Sequence, residues 1–214
     1  GAITDSNSVT NNVTAASLTA NSATGVDLDT TITTLTAADV SGTGVIDISN
    51  TGALGVTSAT TNNGNTTLSA VGGSLTVAAS TAGTSGNILF TADDIDLTGN
   101  IVGTGTITLR SESVLQDIVL GGTGSTAALD LTTTELSKLV DGFSDITIGR
   151  VADGTGTITV AGATSVNDNL TLVGGSIVSS GAITSNNNTV TLTARTGAIT
   201  DSNSVTNNVT AASL

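Results

Sequence analysis

Carboxylates are the side chains in this sequence that sit closely enough together to do chemistry. Asp93, Asp94 and Asp96 form the densest group, and Asp27/Asp29 and Asp39/Asp47 form looser pairs. Hard oxygen ligands at short spacing suit Ca²⁺, so Asp93, Asp94 and Asp96 are the candidate metal ligands and calcium the one candidate cofactor. Two facts weigh the other way. The glycine–aspartate nonapeptide of calcium-binding β-rolls is absent, and acids on an outward strand face are ordinarily just solvated. Catalysis has less to work with. The chain has no His and no Cys, which removes the common nucleophile–base pairs. Paired carboxylates cleave glycosides in some folds, but such sites use aromatic platforms to hold sugar, and the rings here are Phe90 and Phe143 alone. No catalytic residue is assigned, and the protein is expected not to be an enzyme.

Hydroxyls and amides offer recognition rather than reactivity. Thr31-Ile32-Thr33, Thr106-Ile107-Thr108, Thr157-Ile158-Thr159, Thr189-Val190-Thr191 and Thr191-Leu192-Thr193 would each present two hydroxyls on one strand face. A flat array of that kind is similar to an ice-binding surface, although Thr is also simply a favoured outward β residue. Asn12, Asn65, Asn187 and Asn208 each begin an Asn-x-Thr sequence. Corners or side-chain ladders are the expected place for them, rather than glycan attachment.

Composition says what must position these groups. The 214 residues are 37% hydrophobic but only 1% aromatic, with no Pro, Met or Trp. Burial therefore falls to Val, Ile, Leu and Ala. There are 44 Thr and 26 Gly; β-branched residues favour strands, and Gly and Asn favour the bends between them. With 10% charged residues the chain lacks the composition of a disordered protein. The net charge of −13 rests on 17 acids against Arg110, Lys138, Arg150 and Arg195. Four bases scattered along the sequence cannot replace phosphate counterions, so no nucleic acid is expected as a partner. No apolar run approaches a membrane-spanning length, and no membrane insertion is expected.

Short alternating segments follow glycine or asparagine throughout: Gly44-Val45-Ile46-Asp47-Ile48, Gly73-Ser74-Leu75-Thr76-Val77, Gly105-Thr106-Ile107-Thr108-Leu109 and Gly156-Thr157-Ile158-Thr159-Val160. Aliphatic residues then line one side of each strand and Thr or Asp the other. Strands couple across glycines, as in Leu68 and Leu75 around Gly72-Gly73, or Leu170 and Ile177 around Gly174-Gly175. Antiparallel hairpins would satisfy that pattern. A longer-range feature favours winding in one direction: GAITDSNSVTNNVTAASL occupies residues 1–18 and returns unchanged at 197–214. The expectation is a window on a tandem array, with residues 1–196 forming one β-solenoid repeat and 197–214 the start of the next. Coils of about 20 residues would put about ten layers, or roughly 45–50 Å, in one repeat. Residues 133–141 break the strand pattern and are expected to form a short helix. Thr133 or Thr134 would cap it, Gly142 would end it, and Leu136, Leu139 and Val140 would share its buried face. Phe143 is expected to plug the return into the core.

The segments GNILFTADDIDLTGNIVGTGTITLR (86–110) and IVLGGTGSTAALDLTTTELSKLVDGFSDITIGRVADGTGTITVAG (118–162) resemble the large secreted filamentous-haemagglutinin-like exoproteins of Gram-negative bacteria. That resemblance implies an all-β, right-handed parallel β-helix, export to the cell surface or matrix, and a role in adhesion or extracellular fibres. The partners expected on this reading are neighbouring identical repeats joined end to end, with lateral bundling of filaments left open. An adhesin stalk presenting Thr, Asn and Asp faces to carbohydrate, surfaces or ice is the alternative.

Overall fold

The computed structural model describes residues 1–7, 10–83, 85–124, 128–203 and 207–214; parts of both 18-residue copies lie outside the described residues. Every strand pairing among them is parallel. The chain is a β-solenoid of about nine turns, its strands joined into sheets of 13, 5 and 3 strands. Each turn crosses three faces in a constant order. Residues 26–30, 46–50, 66–70, 88–92, 107–111, 146–149, 170–174 and 190–194 stack on the first. The second carries 34–35, 54–56, 75–77, 95–97, 118–120, 158–160, 177–179 and 199–201. On the third lie 38–40, 59–61, 80–81 and 101–102, and, further along the axis, 164–166, 183–185 and 209–210.

The alternation seen in the sequence becomes ladders of like residues. Val26, Ile46, Thr66, Ile88, Ile107, Ile146, Leu170 and Val190 are consecutive partners on the first face, as are Leu28, Ile48, Leu68, Phe90, Leu109, Ile148, Leu172 and Leu192 beside them. Nearly all are fully buried, each contributing about 1.5–3 kcal/mol by removal from water. Thr66 is the exception in kind: its hydroxyl is buried with no hydrogen-bond partner. Thr66→Val removes that hydroxyl at constant shape and is expected to raise stability by about 1 kcal/mol, read as a higher midpoint in urea.

Turn length is uneven. Successive partners from Val26 to Val190 are 20, 20, 22, 19, 39, 24 and 20 residues apart. The long turn is why about nine layers form rather than the larger number expected from 20-residue coils. Within it the chain steps backwards. Residues 118–120 pair with 158–160 on one side and with 129–131 on the other. The later segment therefore lies on the N-terminal side of the earlier one, beside the preceding turn, where the Asp130 amide donates to Asp94 Oδ1 at 3.3 Å.

The helix that follows is shorter than expected, Thr133–Leu136, and its cap is Thr132 rather than Thr133 or Thr134. Thr132 Oγ1 accepts from the Glu135 amide while Glu135 Oε2 accepts from the Thr132 amide, a reciprocal capping box. It stops after one turn because Leu139 returns to strand geometry and bridges Ile101 on the third face. Leu136, Leu139 and Phe143 are buried as expected, whereas Val140 is only partly so.

Corners are held by two devices. Asn50 is wholly buried where the first face ends. Its Oδ1 accepts from Thr30 Oγ1 (2.9 Å) and the Ile32 amide (2.8 Å), and its Nδ2 donates to the carbonyls of Thr51, Gly52 and Ala53. Before the first face, Gly44, Gly64, Gly86 and Gly105 stack directly on one another. A Cβ on Gly64 would lie 1.8 Å from the Gly44 carbonyl oxygen, and one on Gly86 would lie 1.9 Å from that of Gly64. None of the four has a positive φ, so close approach of layers selects glycine there. At Gly72 the reason is the opposite: φ is +72° and the space beside it is open.

Candidate functional site

The alternation of β strands decides which acids meet. Asp94 and Asp96 lie two residues apart in strand Ile88–Leu97, opposite Ser74 and Thr76 of the turn below. Asp96 Oδ2 accepts from Thr76 Oγ1 at 3.2 Å, and Asp94 Oδ1 from the Asp130 amide. Burial, then the neighbouring Asp96 and Glu135 charges, push the Asp94 carboxyl up, against hydrogen bonds from the Asp130 and Ile95 amides that lower it. Asp93 stands at the corner before them, its carbonyl accepting from the Gln116 side chain. Among the described residues no group of three or more acids is arranged to hold a metal ion.

The looser pairs are redistributed by stacking. Asp27 lies directly under Asp47 on the first face, one 20-residue turn apart. Asp39 belongs to the third face and accepts from Thr60 Oγ1 at 3.0 Å. Desolvation first, then Asp27 and Asp29, raise the pKa of Asp47. A carboxyl raised on folding costs nothing below its unfolded pKa, where both states are protonated; the cost enters as pH rises through that value and is complete above the folded one. Solvent screening keeps the effect small at this exposed face. Asp47→Asn is accordingly expected to raise the melting temperature by about 2 °C at pH 7 and to leave it unchanged near pH 3. An equal gain at both pH values would assign the effect to packing instead.

Bases that are far apart in sequence gather in space. Arg150 grips Asp153 through two hydrogen bonds of 2.8 Å and donates from its other terminal nitrogen to the carbonyls of Ser111 and Glu112. That grip holds the exposed Asp153 carboxyl below its usual range. Arg195 donates to the Val151 and Ala152 carbonyls, each at 2.6 Å. Arg110, partly desolvated and repelled by Arg150, donates to Thr91 Oγ1. Together they staple the corner after the first face. Beside it is a hollow of about 370 Å³ lined by Asn65, Thr67, Asn87, Thr106, Thr108 and Arg110, among others. The amides here form a ladder, Asn65 Oδ1 accepting from the Asn87 amide and Asn87 Oδ1 from that of Thr106. Asn12 likewise accepts from the Asp29 amide, Asn208 accepts from Asn203, and Asn187 occupies a corner with φ +60°.

Threonines stack in a single file, Thr108, Thr147, Thr171 and Thr191, on the first face. Leu89 interrupts the file on one side, and the hydroxyls of Thr147 and Thr171 donate to Asp145. Thr157 and Thr159 lie instead on the second face, opposite Ser176 and Val178.

Some apolar surface is exposed in the last layer of the axis. Val190, Thr191, Leu192, Ile199 and Leu214 line a hollow of about 290 Å³ there, with Ile199 51% and Leu214 82% exposed.

The geometry defines a three-faced parallel β-solenoid, a fold consistent with that of β-helix adhesins. No protein-family model matches the chain, and no curated protein or solved structure matches it.

Proposed function

We propose that the chain is a structural segment of an extracellular fibre built from 196-residue solenoid repeats, with no catalytic role. The observation that supports it is the seating of the repeated 18-residue segment. Residues 197–214 extend all three faces by one further layer, through Ile177–Ile199, Ile183–Val209 and Thr189–Ser213. The second occurrence of the sequence thus adds a layer to the same stack, as a tandem array of such units requires. In such a fibre the axial hydrogen bonds run without interruption, the aliphatic ladders give stiffness, and the −13 charge keeps rods apart. Filamentous-haemagglutinin-like exoproteins are the class this reading fits.

Cryo-electron microscopy of native material tests it. A layer spacing near 4.8 Å within continuous filaments is expected; discrete particles of one unit would overturn the fibre.

The second reading, an adhesin stalk, draws on the hollow around Arg110, where Asn and Thr side chains surround a partly buried cation. An acidic glycan is the ligand that chemistry suits. Binding on a glycan array that Arg110→Gln abolishes would favour it over a pure scaffold.

A further inference from the structure

The 18-residue segment occurs twice in two settings, and each setting shows one of its edges covered. In the C-terminal copy the lower edge is paired. Ile199 stacks on Ile177 of the second face, Val209 on Ile183 of the third, and Ser213 on Thr189 of the first, with the two hydroxyl oxygens 2.8 Å apart. In the N-terminal copy the upper edge is paired: Val13 lies under Thr30, Ser17 under Thr34 and Leu18 under Leu35. Val13 is the counterpart of Val209, Ser17 of Ser213 and Leu18 of Leu214.

Putting the two edges on one segment fixes how a following unit must sit. Val209 is on the third face, yet the residue that covers its counterpart, Thr30, is on the first. Ser213 is on the first face, yet Thr34, which covers its counterpart, is on the second. Both comparisons give the same displacement of one face. Resting on the fibre reading above, we propose that residues 19–40 of the following unit of this same sequence stack on residues 197–214 one face out of phase. Each unit then advances eight and two-thirds turns, counted from Val13 below Thr30 to Val209 above Ile183, and three units complete 26 turns.

The chemistry of the faces permits this. On the first face Val190 would be followed by Leu214, then by the counterparts of Leu35 and Val56, an unbroken aliphatic ladder. The apolar hollow between Val190, Leu192, Ile199 and Leu214 would be closed by it. One contact must change. Ile3 bridges Val26 on the first face, whereas the phase shift places its counterpart Ile199 under the run equivalent to Thr19–Ser22. The isolated bridge of Ile3 is the contact an added unit replaces.

The test uses three units in tandem carrying Leu115→Cys. Leu115 is 74% exposed, and the chain has no other Cys, so each unit takes one maleimide–gold label. Cryo-electron microscopy is expected to show labels about 42 Å apart along the axis. Each should be turned by a third of a revolution from the last, once the solenoid's own twist within a unit is subtracted. Labels in line along one side of a continuous rod would overturn the phase shift and leave the fibre standing. Separate, discontinuous units would overturn both.

Discussion

Gly64→Ala is expected to cost more than about 3 kcal/mol. The added carbon would fall 1.8 Å from the Gly44 carbonyl oxygen and 2.9 Å from Thr61 Oγ1. Neither can yield. The Gly44 carbonyl belongs to the layer below, and Thr61 Oγ1 already donates to it at 2.8 Å while accepting from the Gly64 amide. Relief requires two layers to separate, which breaks the axial hydrogen bonds of the first face around residues 46–50 and 66–70. A solenoid contacts only neighbouring layers, so damage stays local. Hydrogen exchange should therefore accelerate in those strands while residues 170–194 keep their protection. Gly72→Ala is the control. There the strain is conformational, about 1–2 kcal/mol for a left-handed backbone, and Gly72→Asn should recover part of it. If the two alanine variants lose equal stability, layer contact is not what selects glycine at position 64.

Asn50→Ala is expected to cost about 2–3 kcal/mol, since it strands the buried Ile32 amide and the Thr30 hydroxyl without an acceptor. Asn50→Asp separates acceptor from donor. It keeps an oxygen for Ile32 and Thr30 but aims the second oxygen at the carbonyls of Thr51, Gly52 and Ala53. Burial and those carbonyls favour the protonated acid, which can donate where a carboxylate cannot. The folded pKa is therefore raised, and the deficit grows as pH rises above the unfolded value. Melting curves should show Asn50→Asp recovering toward the parent as pH falls from 7 to 4, with Asn50→Ala unmoved. Parallel behaviour of the two would mean the side-chain amide is not the corner's fastening.

The parts of this architecture legible in sequence are those that depend on alternation within a strand. Aliphatic residues at Ile46, Ile48, Leu75, Ile107 and Leu109 announce an inward face, and the returning 18-residue segment announces winding. What escaped depends on which residues lie one turn apart. Asp27 and Asp47 read as members of different pairs until a 20-residue period stacks them. Arg110 and Arg150 read as isolated bases, although their separation of 40 residues is within one of the 39-residue long turn. Gly44, Gly64, Gly86 and Gly105 read simply as bends between strands; their constraint is the layer beneath. Thr132 and Glu135 carry the capping-box spacing, so the helix start was available. Its end was not, because the pairing of Leu139 with Ile101 overrides the helical spacing of Leu136, Leu139 and Val140.

The backward step at residues 118–131 bears on the order in which the rod can be assembled. Elsewhere each turn finds its template already complete, so a chain emerging N-terminus first can wind as it appears, one layer on the last. At residues 118–120 that sequence fails. Their lower neighbour is 129–131, which has not yet emerged. The growing tip must wait with its second face unfilled until the later strand slides in beneath the earlier one. Only then is there a floor for 158–160. The chain thus has one built-in step at which winding from the N-terminus is interrupted until a later strand is in place.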